Sequence, residues 1–195
     1  MSDPAPQHRL VRATDVSGLP VVTIDGGEDI AEIRDIVYDG ASHRLIGFTL
    51  NKRGWFRGTL KQRLEADSVH AIGPDAVMVA TEADLTESGA APPALEGDAE
   101  TYDVIGTRVL AADGTELGSI SEVVLSTARD PEAVGYEVAT DDGTVFVPIS
   151  AELALSEDNL LLPSSATDFI HNDLAGFGAA VMPFRSGLTD EEETP

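Results

Sequence analysis

If this chain performs chemistry, it has few residues with which to do it. Its four histidines, His8, His43, His70 and His171, are scattered, and no two have the spacing of a metal-ligand pair. Five carboxylates crowd one stretch: Asp25, Glu28, Asp29, Glu32 and Asp35. Their spacing does not follow an EF-hand loop, which alternates its ligands and places a glycine sixth. They read better as turn and outward strand positions. Asp67, Ser68 and His70 lie close in sequence, but adjacency is not triad geometry. No G-x-S-x-G elbow or Walker-type loop is present. With no cysteine, there is no disulfide framework, iron–sulfur cluster, zinc ribbon or thiol nucleophile. The expectation is a non-enzyme with no catalytic residue, cofactor or metal site, its histidines structural.

Two stretches are better suited to binding. The segment NKRGWFRGTLKQR, residues 51–63, holds Lys52, Arg53, Arg57, Lys61 and Arg63, five of the 12 basic residues, and no acid. It also holds the single tryptophan, Trp55, beside Phe56. Arginine and tryptophan are preferred interface anchors. The segment can be read as a solvated face whose aromatics cap a core, or as a hairpin that docks on an acidic partner. A small-molecule or anion-binding regulatory site at the same loop is the alternative function.

The second stretch is SSATDFIHNDLAGFGAAVMPF. Ser165 or Thr167 can cap a helix, Asp168 suits its first turn and Pro183 stops it. Ile170, Leu174, Phe177 and Val181 then share one face. This predicts a C-terminal helical segment over 165–183 that packs on its own domain or lies in a partner's groove. Phe169, Ile170, Leu174 and Phe177 are its candidate contacts. Nothing in the earlier part of the chain matches it.

The elements that must position these stretches are visible because the plan is written twice. GLPVVTIDGGEDIAEIRDIVYD is echoed by GTRVLAADGTELGSISEVVLS. Gly18 matches Gly106, Val21 matches Val109, and Asp25-Gly26 matches Asp113-Gly114. RLIGFTL is echoed by EAVGYEV, with Gly47 opposite Gly135. VHAIGPDAVMVA corresponds to LALSEDNLLLP. Within each copy the apolar stretches are short, β-branched and alternating, and acidic-glycine pairs mark hairpins. The spacing leaves no room for crossover helices, so each copy should be an antiparallel sheet closed into a small barrel. The organisation read from composition is a disordered N-terminus over 1–9, a first barrel over 10–82, a linker over 83–100, a second barrel over 101–164, the helical segment over 165–183 and an acidic disordered tail over 184–195.

These motifs resemble the PRC-barrel family, over about residues 10–82 and 101–164. The marks are a glycine before an apolar strand, an acidic-glycine turn, an apolar strand containing an acid, a glycine-centred strand and a polar turn before the last strand. Ala31 departs from the pattern, where the second copy has Gly118. The resemblance implies a mainly β fold of two tandem barrels, as found in bacterial and archaeal proteins, and an adaptor role in protein–protein interaction without a family-wide active site.

Charge bounds the partners. The formal charge is −23, from 35 acids and 12 bases. Such a chain repels phosphate, which argues against general nucleic-acid binding. The acidity is uneven. Residues 1–95 carry 14 acids and 9 bases, net −5, and residues 96–195 carry 21 acids and 3 bases, net −18. No apolar run approaches the roughly 20 residues of a bilayer span, and no secretory leader is seen. The expectation is a cytoplasmic protein whose partners are other proteins, with homo-oligomerisation through barrel surfaces a further one.

Overall fold

The computed structural model describes residues 9–39, 42–53, 58–87, 104–127, 131–150, 152–156 and 158–181. Contacts divide the chain into two units, 1–102 with 125–133, and 103–124 with 134–195. The linker residues 88–100, the tail 184–195 and Pro183 lie outside the described residues, as do residues 1–8 of the N-terminal stretch.

The first unit opens with β1 (Leu10–Arg12) and a single helical turn, α1 (Ala13–Val16). It continues through β2 (Pro20–Thr23), β3 (Asp29–Asp39), β4 (Arg44–Asn51), β5 (Thr59–Glu65), β6 (Val69–Ile72), β7 (Val77–Val79) and β8 (Leu85–Glu87). Alternation decides what each strand buries. Val21, Val77 and Val79 are fully buried, while Val22 and Met78 between them point outward. Ile33, Phe48, Leu50 and Leu64 complete the interior. At the hairpin after β2 the residue with positive φ is Gly27, not Gly26; its amide donates to the Thr23 carbonyl at 3.0 Å. Also within this unit, the amide and hydroxyl of Thr127 both donate to the Arg9 carbonyl at 2.9 Å.

The sheet order is β6-β7-β2-β3-β4-β5-β8. β5 runs directly into β6 through one 3-10 turn, Ala66–Ser68, so the chain itself joins the two flanks of the half-barrel. Antiparallel pairing dominates, as expected, with one correction. The first and last barrel strands pair in parallel, Val22 against Met78. An unbroken up-and-down path would make every neighbour antiparallel; the bend at Ala66–Ser68 re-aims the chain and changes the parity. Residues assigned to the linker also enter the sheet. Leu85–Glu87 forms β8 against β5, because Leu85 finds a buried position opposite Leu64.

The second unit repeats the plan. Its strands are β9 (Arg108–Ala111), β10 (Glu116–Ser126), β11 (Glu132–Thr140), β12 (Gly143–Pro148), β13 (Ala154–Leu155) and β14 (Asn159–Leu162), with residues 125–126 of β10 and 132–133 of β11 counted in the first unit. The order is β12-β11-β10-β9-β14-β13, again with a parallel pair, Leu110 against Leu161. The entry glycines match in backbone angle and hydrogen bond. Gly18 has φ +85° and donates to Ile33 at 2.8 Å; Gly106 has φ +88° and donates to Ile120 at 2.7 Å. Such a φ is costly for any residue with a Cβ.

The C-terminal segment is not the single helix expected over 165–183. A four-residue turn, α2 (Ser164–Thr167), is followed by a β-bridge between His171 and Phe146. Residues 174–181 then form a second helix. The bridge takes the His171 amide and carbonyl into bonds with Phe146, which an unbroken helix could not spare. Asp173 starts the second helix by accepting the Gly176 amide at 2.8 Å.

Candidate interaction surface

The long β4–β5 connection is where the two copies differ most. In the second copy Thr140 and Gly143 are register partners, so Asp141 and Asp142 alone turn the chain. In the first, Asn51 partners Thr59, and Lys52 to Gly58 intervene. The Lys52 amide donates to the Gly58 carbonyl at 2.7 Å, which draws the base of this connection together. Trp55, Phe56 and Arg57 lie outside the described residues.

Among the described residues, Lys52, Arg53 and Lys61 are exposed and Arg63 is half-buried. Lys61 and Arg63 lie two residues apart on β5, in the stretch where its register with β4 shifts. Arg53 reaches back to β3, where it pairs with Asp29 and, at 3.2 Å, with Glu32. These hydrogen bonds, that with Asp29 foremost, raise its pKa above the ordinary guanidinium value. Arg34 joins this face although sequence reasoning did not select it. It is the extra residue where the β3–β4 register shifts between Ile33 and Asp35. A bulge re-aims the side chain. Its Nε donates to Thr49 Oγ1 at 3.2 Å and its Nη1 to Thr59 Oγ1 at 3.4 Å. Thr49 is also the register partner of Arg63, so Arg34 and Arg63 meet beside the same threonine.

The carboxylate stretch is divided among structural tasks. Asp29 and Glu32 hold Arg53. Asp35 accepts the amide of Ile36 at 2.9 Å, and Glu122 accepts that of Val123 at 2.9 Å at the matching position of the second copy. The acid expected within this strand therefore bonds its own backbone beside a break in the ladder. Among the described residues no group of three or more His, Asp or Glu side chains is placed to hold a metal. No helix among them is long and apolar enough to cross a membrane.

The C-terminal candidates fall differently. Phe169, Ile170 and Leu174 are half-buried. Phe177 is fully buried, with its ring 5.8 Å from that of Phe146 and inclined by 26°. A Cβ on Gly135 would lie 2.4 Å from the Phe177 ring, so the helix rests on bare backbone. As a direct partner contact Phe177 is corrected: it has no surface to offer. Of the four residues expected on one helical face, Phe177 and Val181 are buried and Leu174 is half-buried, while Ile170 precedes the bridge and lies outside the helix; Phe177 meets Gly135 of β11 and Phe146 of β12.

The segment also has a counterpart that the sequence comparison missed. After its last barrel strand each copy turns once and returns along β5 or its equivalent, β12. Thr86 pairs with Arg63 of β5, and His171 pairs with Phe146 of β12. Since Phe48–Leu64 and Tyr136–Val147 are equivalent register pairs, Arg63 and Phe146 occupy the same place. The shared signal is slight, "TEADL" against "SATDFI".

The doubled architecture agrees with comparison against family models. The PRC-barrel domain model matches residues 8–85 and again 96–168. The chain belongs to the PRC-barrel domain family. No curated protein matches it significantly. PRC-barrel domains serve as protein-interaction modules and are generally non-catalytic. Within this tandem PRC-barrel chain, the first module is set apart by its basic β4–β5 connection and the second by its helix over the Gly135 notch.

Proposed function

We propose that this chain is a non-enzymatic adaptor whose first PRC-barrel contacts an acidic protein partner. The contact is made through Lys52, Arg53, Lys61 and Arg63, with Trp55, Phe56 and Arg57 of the same segment. The observation that carries the reading is the inequality of the two β4–β5-type connections. One module turns with two aspartates, while the other has Lys52 to Gly58 between the paired Asn51 and Thr59, and Arg34 bonds Thr49, the register partner of Arg63. A turn needs only two residues to close the ladder, so the added length has no folding purpose of its own. Phe169, Ile170 and Leu174 form a second contact region. Pairing of Arg53 with Asp29 and Glu32 offsets its charge, which favours a broad protein contact over capture of a small anion.

The test is proximity labelling in cells with the full chain, comparing wild type, Trp55→Ala and a Lys61→Ala/Arg63→Ala double variant. A neighbour lost in both variants, while melting temperature and expression hold, supports the adaptor reading. An unchanged neighbour list overturns it. A saturable metabolite or inorganic anion displaced by Arg53→Ala would replace it with the regulatory alternative.

A further inference from the structure

A different surface carries a second binding argument. In the first module Met78 of β7 stands in register between Val22 of β2 and Ala71 of β6, and Val22 in turn faces Asp29 of β3. In the second, Leu161 of β14 stands between Leu110 of β9 and Ala154 of β13, and Leu110 faces Glu116 of β10. Position for position, the two rows read small, large apolar, large apolar, carboxylate. Val21, Val77, Val79, Val109, Leu160 and Leu162, beside them along the strands, are buried, so alternation sends Val22, Met78, Leu110 and Leu161 outward. Leu161 is 48% exposed, and Ile24, two residues beyond Val22, is 50% exposed.

An outward strand position in water is ordinarily polar. These two copies differ in net charge and in the β4–β5 connection and its β11–β12 equivalent, yet they agree in this row. The rows are only partly covered by their own sheets: Val22, Met78, Ala71 and Leu110 are half-buried, and Leu161 and Ala154 are exposed. Exposed carboxylates bracket it at both ends. Asp25 and Glu28 lie in the hairpin at one end of the first row and Asp75 in the turn at the other. Asp113 and Asp158 do the same for the second. The carboxylate within each row has its arginine, Asp29 with Arg53 and Glu116 with Arg108 at 3.8 Å.

We propose that each row docks a partner segment whose apolar residues are flanked by lysine or arginine. Apolar strips give the contact area and the bracketing acids select the charge. The same field disfavours a second copy of this chain, which carries −23 itself. This surface is separate from the basic segment, so either proposal can fail alone.

The probe is a dye-labelled heptapeptide with Leu-Val-Leu between paired lysines, titrated into the full chain. Its control replaces the three apolar residues by serine. Saturable binding in the micromolar range is expected, weakened roughly tenfold or more for the control peptide and for a Met78→Ser/Leu161→Ser chain. Amide resonances of β2, β7, β9 and β14 should shift. Circular dichroism checks the fold of the variant, and Met78→Gln/Leu161→Gln replaces it if it fails to fold. The proposal is overturned by any of four results: no saturable binding at millimolar peptide, equal binding of the serine control, undiminished binding by a folded variant, or a wild-type dimer in sedimentation that the variant dissolves. The last would assign the row to a second copy.

Discussion

Gly135 and Gly47 show how little freedom a barrel residue has. A Cβ on Gly47 would stand 2.2 Å from the Leu64 carbonyl oxygen, and one on Gly135 2.5 Å from that of Val147. Gly47→Ala should therefore cost about 1–3 kcal/mol in urea denaturation, the ordinary range for overpacking. Gly135→Ala meets the Phe177 ring as well. Phe177→Ala alone should cost roughly 3–5 kcal/mol. Combined with Gly135→Ala its cost should be less than additive, since the missing ring removes one of the two clashes. Asp113 gives the matching test for charge. Its carboxylate accepts the Thr115 amide at 2.9 Å, and that bond lowers its pKa. A depressed folded pKa means that the stabilisation is present above the ordinary aspartate range and is lost as pH falls through the folded value. Carbon-detected NMR titration should place the Asp113 midpoint below that of other exposed aspartates, and Thr115→Pro should return it to the ordinary range.

At the scale of elements, the C-terminal segment divides its work between a bridge and a short helix. Asp173→Ala should cost about 1 kcal/mol, the usual loss of an N-cap. Faster hydrogen exchange should be confined to residues 174–181, with the barrel amides unchanged. The alternating strands, the entry glycines and the doubled plan were legible in the sequence because each is enforced locally, by φ at Gly18 and Gly106 or by burial at every second residue. The bulge at Arg34 was not legible. Register depends on the partner strand, and nothing in "EIRDI" says that Arg34 is the residue left out of the ladder. The parallel pair was hidden for the same reason, since its direction depends on the bend at Ala66–Ser68. The basic segment was legible as composition alone; its Thr49 and Thr59 neighbours came only with the fold. The return of the chain onto β5 and β12 escaped because one half-matched apolar residue in each copy carries it.

For the molecule as a whole, the uneven charge sets the response to salt. Self-repulsion among 35 acids weakens the compact state and is screened over about 8–10 Å at moderate ionic strength. The melting temperature should therefore rise between low salt and about 0.5 M sodium chloride, where the Debye length is a few ångströms. Scanning calorimetry with the same protein in sodium sulfate separates screening from exclusion, since screening alone gives equal shifts at equal ionic strength and exclusion enlarges the sulfate shift.

The parallel pair sets an order of events during synthesis. Val22 and Met78 are register partners, as are Leu110 and Leu161. Each belongs to the opening and closing strand of its own module, so a nascent chain can lay down the central hairpins early but cannot finish either barrel until its last strand has left the ribosome. Until then the inward Val21 of β2 has no cover from β7. The Arg9 carbonyl waits longer still, for Thr127. A ribosome stalled with Val77–Val79 still inside its exit tunnel would hold a sheet with its first strand unguarded, and one stalled after that strand has emerged would not.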